Sequence, residues 1–161
     1  MRFTLVDRLV EWESGRSLRS VKNLTTAEEY LADHFPSFPV MPGVLMLQVL
    51  VESAAWLLRI SSNFQHSIIA LRDVRNVKYG AFMEPGKSME VKVEWVKQEG
   101  SLTTFKGKGM AEGGAQTANA QFSLAAYNLA ERNPAAAALD AKLIAHWRER
   151  FFLLTELMGK K

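Results

Sequence analysis

Four residues that could do chemistry lie close together in the first third of the chain: His34, Gly43, Gln48 and Glu52. The chain has no cysteine, which excludes a thiol nucleophile and a thiolate metal site and leaves histidine, carboxylate, hydroxyl or backbone groups. A neutral imidazole accepts protons well near physiological pH, so His34 is the first candidate. Three prolines within residues 36–42 stiffen the loop after His34, and a stiff loop suits a side chain that must be positioned.

The segment 44–60 that follows this loop is apolar almost all the way round. Its polar interruptions are Gln48, Glu52, Ser53 and Arg59. A helix that is hydrophobic on every side is buried, so we predict a core helix. Its length is near the lower limit for spanning a bilayer, but polar residues in its middle make a lipid-facing position costly, and no membrane span is expected. Gly43 precedes this helix, where N–H groups lack helical partners and a glycine allows close approach.

Strand-like segments flank this helix on both sides. They cover residues 2–10, 16–24, 67–79, 89–95, 102–110 and 116–127. The first two are joined by a turn at residues 13–15 and are predicted to form a hairpin, and the last three a long antiparallel meander. The clearest alternation of apolar and polar residues is at 89–95.

Two further helices are predicted outside the strands. Capping-box patterns, in which Thr25 and Thr26 are each followed three residues later by a glutamate, predict a short helix through about Leu31. Asn133 as N-cap and Pro134 at the first position predict a terminal helix over about 134–158. Its apolar stripe consists of Leu139, Leu143, Trp147, Phe151, Leu154 and Met158.

Together these elements predict one α+β domain over residues 1–161, in which an antiparallel sheet curves around the central helix. Its core covers about residues 1–127, and the C-terminal helix is appended. The formal net charge of +3, without a dense basic block, gives little support to nucleic-acid binding. Charged residues interrupt every apolar run near the N-terminus, so a cytoplasmic protein without signal peptide is expected.

The loop segment 34–45 resembles the signature of the beta-hydroxyacyl-acyl carrier protein dehydratases, which have the hotdog fold. It reads HFPSFPVMPGVL, and the second landmark of that family is similar to NVKYGAFMEPG at residues 76–86. With the meander, the resemblance covers roughly residues 1–127. It implies a dehydratase acting on 3-hydroxyacyl thioesters of acyl carrier protein, in fatty acid or related lipid synthesis, without a cofactor.

The resemblance also implies roles for individual residues. His34 would be the general base that removes a proton next to the thioester carbonyl, and the Gly43 N–H would hold the thioester oxygen. Phe35, Pro42 and Val44 would contact substrate. The family builds its two sites at a dimer interface, with the residue from the central helix supplied by the opposite subunit. A homodimer or higher homo-oligomer is therefore expected.

At one position the chain departs from that family. The family's catalytic carboxylate comes fourteen residues after the histidine, where this chain has Gln48, and Glu52 lies where the family often has a glutamine. An amide can hold a hydroxyl or a water but cannot donate a proton as an acid does. Two alternatives follow: a hotdog thioesterase that uses Glu52 to activate water or attack the thioester, and a catalytically impaired acyl-binding subunit.

Overall fold

The computed structural model describes residues 4–156, in which six antiparallel strands form one sheet around a long helix. The strands are β1 Arg8–Glu13, β2 Ser17–Asn23, β3 Ile68–Tyr79, β4 Ser88–Glu99, β5 Leu102–Ala111 and β6 Gln116–Tyr127. The helices are α1 Gly43–Ser61 and α2 Ala137–Glu156. The strand order is β1-β2-β4-β5-β6-β3, which leaves β3 at one edge. The α+β prediction is confirmed.

Helix α1 packs closely on the inner surface of the sheet. Its fully buried residues Val49, Leu50 and Leu57 meet inward-facing strand residues such as Phe105. A Cβ on Gly107 in β5 would lie 3.1 Å from the Leu50 side chain, so a glycine permits this approach. By length and composition α1 is the one helix within residues 4–156 that could cross a membrane. However, 61% of its apolar 18-residue stretch is buried in the fold.

The first strand begins later than the sequence pattern predicts. Residues 4–7 precede β1, and the backbone N–H groups of Leu5 and Val6 donate to the Glu52 carboxylate instead of to a neighbouring strand. The predicted range 2–10 was therefore wrong at its beginning, although residues 2 and 3 lie outside the described part. The turn before β2 was correct, and Gly15 adopts the positive φ of 68° that such a turn favours.

The short helix predicted to end at Leu31 was also wrong. Only one turn of 3₁₀ helix forms, over Glu29–Leu31. The Thr25 hydroxyl accepts a hydrogen bond from the N–H of Ala27, two residues on, which is a local turn and not a helix cap. Glu28 forms an ion pair with the buried Lys22 of β2, so its side chain contacts the sheet and does not cap a helix.

The terminal helix forms, but the face it turns inward differs from the predicted stripe. Asn133 caps a 3₁₀ turn at Pro134–Ala136, and α2 follows directly. Leu139 is half exposed, whereas the neighbouring Asp140 is buried, so the stripe was wrong at its first position. Asp140 accepts hydrogen bonds from the Ser67 hydroxyl and from the N–H groups of two residues in the 3₁₀ turn Leu129–Glu131. Met158 lies outside the described residues.

Candidate active site

The loop that carries His34 contains a turn and is attached to the rest of the fold at its far end. The Phe38 N–H donates to the Phe35 carbonyl at 2.8 Å, and the Met41 N–H donates to the Met83 carbonyl at 2.8 Å. The second bond fastens the loop to the segment between β3 and β4. Phe35 itself has a φ of 50°, a left-handed conformation that is unfavourable for an aromatic residue and that is found preferentially at functional sites.

His34 is half-buried, and one of its ring nitrogens is fixed by the backbone. Nδ1 lies 3.0 Å from the carbonyl oxygen of Val40. A carbonyl oxygen can only accept, so Nδ1 carries the hydrogen and donates it. In the neutral ring Nε2 then has a free lone pair, which is the state that a general base requires.

Gly43 begins α1 directly after Pro42, whose extended backbone marks the helix boundary. Within residues 4–156 no group accepts a hydrogen bond from the N–H of Gly43 or Val44. The Tyr79 ring lies against Gly43, since a Cβ there would be 3.2 Å from ring atoms. The end of β3 thus packs beside this helix terminus, whose free N–H groups form the positive end of the helix dipole.

Large apolar side chains that remain exposed surround this end of α1. Their exposed fractions are 59% for Phe35, 50% for Phe38, 65% for Val44, 50% for Tyr79 and 62% for Phe82. Phe38 and Phe82 pack edge to face, with ring centroids 6.0 Å apart. Exposed apolar residues grouped in one place are typical of an interaction surface.

Gln48 and Glu52 follow on α1, and the structure treats them differently. Gln48 is half-buried and makes no side-chain hydrogen bond within the described chain. Glu52 is engaged: its Oε2 accepts from the Leu5 N–H at 2.8 Å and from the Val6 N–H at 3.3 Å.

The surroundings of Glu52 change its acidity. Burial raises the pKa of the Glu52 carboxyl above its usual value, and this outweighs the two backbone hydrogen bonds and the charges of Arg150 and Arg59, which lower it. Burial also lowers the pKa of the Arg59 guanidinium to about 10, against the opposing effect of Glu52. Arg59 lies 3.9 Å from the Trp147 ring centroid, so α2 covers this polar group.

Within one chain the structure places Pro42, Gly43 and Val44 at the start of α1, and His34 and Phe35 in the loop that leads to it. No hydrogen bond in the described residues joins His34 to Gln48 or Glu52. Sequence reasoning did not single out Tyr79 and the Phe38–Phe82 pair as parts of this site. The available signal was their position inside the two family landmarks, because nothing in their spacing indicates contact.

Comparison with known proteins identifies the family. Residues 11–119 match the ApeI-like family, described as ApeI dehydratase, and the chain therefore belongs to that dehydratase family. It is 34% identical over 112 residues to the 3-hydroxyacyl-acyl-carrier-protein dehydratase FabZ of Janthinobacterium sp. (strain Marseille), covering 68% of this chain and 72% of the relative. FabZ of Bacillus subtilis (strain 168) is 32% identical over 111 residues, with coverages of 69% and 79%.

Solved structures confirm the hotdog fold. The dehydratase heterocomplex ApeI:P from Xenorhabdus doucetiae has a TM-score of 0.65 at 11% identity, covering 83% of this chain and 90% of that chain. The protein smu.793 from Streptococcus mutans UA159, bound to acetyl CoA, has a TM-score of 0.60 at 13% identity, with coverages of 78% and 92%. The putative thioesterase yhdA from Lactococcus lactis has a TM-score of 0.65 at 11% identity, with coverages of 79% and 98%. The same fold therefore occurs in a dehydratase complex and in a putative thioesterase, so the fold alone does not distinguish these two activities.

Proposed function

We propose that this protein is a cytoplasmic dehydratase of 3-hydroxyacyl thioesters carried on acyl carrier protein, with His34 as its base. Its curated relatives are named for that reaction. The single observation that supports His34 as the base is the bond between its Nδ1 and the Val40 carbonyl, because it leaves Nε2 as the proton acceptor. No cofactor is needed for this chemistry.

In the proposed reaction Nε2 of His34 takes the proton from the carbon next to the thioester carbonyl. The carbonyl oxygen gains negative charge and is held by the N–H of Gly43, which lacks another acceptor in the described chain. The electron pair forms the new carbon–carbon double bond as the bond to the hydroxyl breaks. The imidazolium then returns its proton to the departing hydroxyl, so that water leaves and the histidine is neutral again.

Gln48 has a positioning part in this scheme. An amide can donate an N–H hydrogen bond to the leaving hydroxyl, and it cannot supply the proton that leaves with it. We place Gln48 of a second copy opposite His34, because within one chain the two residues share no hydrogen bond. The exposed apolar side chains around Gly43 support this pairing, since a second copy would cover them.

The proposed dimer can be tested separately by measuring the mass of the protein in solution. Sedimentation at micromolar concentration should give twice the chain mass of 18.1 kDa. A Val44→Asp variant, which puts a charge on this apolar surface, should shift the mass towards the monomer and lower dehydration together with it. A monomeric native protein with full activity would contradict the shared site.

The chemistry is tested by following enoyl product and free thiol separately on 3-hydroxyacyl and saturated acyl thioesters. We expect His34→Ala to lower dehydration by about 10² to 10⁴, the usual range for general base catalysis. Its melting temperature should change little, because the side chain is only half-buried. Hydrogen exchange at the carbon next to the carbonyl should be lost as well, and unaltered exchange would remove His34 from the mechanism.

Substitutions on α1 separate the remaining alternatives. If the missing acid limits the rate, Gln48→Glu should increase dehydration while Glu52→Gln changes it little. If Glu52 acts through its second oxygen and a water, Glu52→Gln should be the damaging change. Loss of thioester hydrolysis in Glu52→Gln would establish the thioesterase alternative. A native protein that binds acyl thioesters but gives neither product would be the acyl-binding subunit.

A further inference from the structure

Lys22 of β2 is a charged side chain inside the protein. It is 3% exposed and lies on the same side of the strand as Ser20, whose hydroxyl is 2.7 Å from that of Ser53 in α1. A lysine is almost never fully buried unless it is paired. A buried ion pair is weak evidence for a gain in stability, because the cost of removing two charges from water offsets their attraction. The role of Lys22 therefore depends on the segments to which its partners belong.

Lys22 has two carboxylate partners, which lie on different segments of the chain. Its Nζ is 2.5 Å from Oε1 of Glu28 and 3.6 Å from Oδ2 of Asp7. Asp7 comes directly before β1, and its carboxylate also accepts a hydrogen bond from the Asn23 N–H at 2.6 Å. Asp7 thus connects the beginning of β1 to β2, whereas Glu28 belongs to the segment that leads to His34.

The backbone of Glu28 begins a turn that ends shortly before His34. The Leu31 N–H donates to the Glu28 carbonyl at 3.1 Å, and the Ala32 N–H donates to the carbonyl of residue 29 at 3.2 Å. Leu31 is 4% exposed and packs in the core. His34 is the second residue after this turn. The Glu28 side chain therefore attaches the near end of the His34 loop to β2, in addition to the bond at the far end.

Tyr30 shares the surroundings of this ion pair. Its hydroxyl oxygen is buried and has no hydrogen-bond partner in the described residues. Burial raises the pKa of the Tyr30 hydroxyl, and the charges of Glu28 and Asp7 act in the same direction. Charges that water reaches poorly are screened less than charges on the surface. The attraction between Lys22 and Glu28 therefore restrains the turn more strongly than an exposed ion pair would.

We propose that Lys22 is a positioning residue for His34 and that it acts through Glu28. The inference rests on the proposed function, because it assigns Lys22 to the placement of the proposed base. His34 Nδ1 binds the Val40 carbonyl, so the direction of Nε2 depends on the path of the loop on both sides of the imidazole. A displacement of about 1 Å can lower a catalytic rate about 10²-fold. Loss of the ion pair should therefore lower turnover without removing a group that contacts substrate.

The test variant replaces both charges by uncharged side chains of similar size, Lys22→Met with Glu28→Gln. The matched control makes the same replacements in the exposed pair Lys97–Glu99, whose charged atoms are 2.9 Å apart near the end of β4. Each variant loses one positive and one negative charge, so the formal net charge stays +3. Replacing both members of a buried pair is often nearly neutral for stability, so both proteins should fold. We expect kcat for dehydration to fall about tenfold or more in the test variant, with KM changed less than about threefold, and neither to change more than about twofold in the control.

A second measurement needs no substrate. The nitrogen chemical shifts of the His34 imidazole, measured by NMR, report which ring nitrogen carries the hydrogen, and the native protein should show it on Nδ1. The test variant should show a mixture of the two tautomers, whereas the control should match the native protein. Lys22→Arg keeps the positive charge and should retain the native tautomer and most of kcat. A purely structural role of Lys22 would lower the melting temperature and leave the tautomer unchanged.

Glu28→Ala provides a variant that does not disturb the buried lysine directly. Glu28 is partly exposed, and Lys22 keeps Asp7 as a partner, so this protein should fold. It should also lower kcat and mix the tautomers of His34. A native kcat and tautomer in Glu28→Ala, or equal losses in the Lys97–Glu99 control, would overturn the positioning role. Unaltered dehydration in His34→Ala, together with a tautomer that still responds to Glu28→Ala, would instead overturn the proposed function and support the positioning role.

Discussion

The two ends of helix α1 meet the rest of the protein in opposite ways. At its start the N–H groups of Gly43 and Val44 find no acceptor in the described chain, and large side chains around them stay exposed. At its end the Ser62 N–H donates to the Leu58 carbonyl and the Phe64 N–H to the Arg59 carbonyl, so carbonyls of the last turn have partners.

The two ends also differ in packing, because the C-terminal end of α1 is covered by aromatic contacts with α2. Trp56 is only 1% exposed, and its ring meets Trp147 of α2 edge to face at 5.8 Å. Phe64 and Phe151 make a similar contact at 5.5 Å. Stability is therefore concentrated where α2 covers α1, while the N–H groups of Gly43 and Val44 lie where the helix is left uncovered. Substitutions at the two ends should therefore affect different measurements.

The largest stability effect is expected at the covered end. Trp56→Ala removes a fully buried indole between α1 and α2 and should lower the free energy of unfolding by about 3–5 kcal/mol. Chemical denaturation of the two proteins measures it. An effect below that of exposed-residue changes would mean that α2 contributes little to the fold and that the contrast between the ends is wrong.

Glu52 stands between the two ends and should give a smaller effect. Glu52→Ala removes the acceptor of the Leu5 and Val6 N–H groups and should cost about 1–3 kcal/mol of unfolding free energy. Glu52→Gln keeps an acceptor oxygen and avoids burying a charge, so at neutral pH it should be at least as stable as the native protein. Parallel denaturation of both variants shows whether the fold needs Glu52 as a hydrogen-bond acceptor for residues 4–7 or needs its negative charge.

The pH dependence gives Glu52 a second signature. Because the pKa of its carboxyl is raised on folding, there is a pH range between the unfolded and the folded pKa in which the native state keeps a proton that the unfolded chain has lost. Stability relative to Glu52→Gln should therefore fall as pH rises from about 4.5 through the higher folded pKa.

Asp140 should show the opposite pH dependence. Burial alone would raise the pKa of its carboxyl, but hydrogen bonds from Ser67, Ala130 and Leu129 lower it. Its contribution relative to Asp140→Asn should be present above pH 3.8 and lost as pH falls through the folded pKa.

The sequence predicted the elements that rest on local pattern. The apolar run predicted α1 to within one residue at each end, and the alternation from Met89 to Trp95 identified β4. It could not predict the partner of Glu52, because Leu5 lies 47 residues away in the segment before β1. Asp140 was overlooked for the same reason: an acidic residue in the first turn of a helix reads as a solvated one, and its partner Ser67 lies 73 residues earlier.

The candidate site was predictable only in part. The loop motif located His34 and Gly43, but the tautomer of His34 depends on the Val40 carbonyl, six residues further along the loop. The proposed meeting of Gln48 with His34 lies between two copies, and a pattern within one chain does not describe such a contact. Long-range partners thus account for what the sequence left open.

The smallest effect is expected from the aromatic pair at the open end of α1. Phe38 and Phe82 are half exposed or more, so Phe38→Ala and Phe82→Ala should each lower the free energy of unfolding by less than about 1 kcal/mol. Their edge-to-face contact should appear in a double-mutant cycle as a coupling of about 0.5 kcal/mol, near the lower limit for aromatic pairs because water reaches both rings. Such values at low protein concentration, together with a larger loss once the protein is concentrated enough to associate, would assign the pair to an interface. A loss as large as that of Trp56→Ala at every concentration would instead place the pair in the core of one chain, and the contrast between the two ends of α1 would not hold.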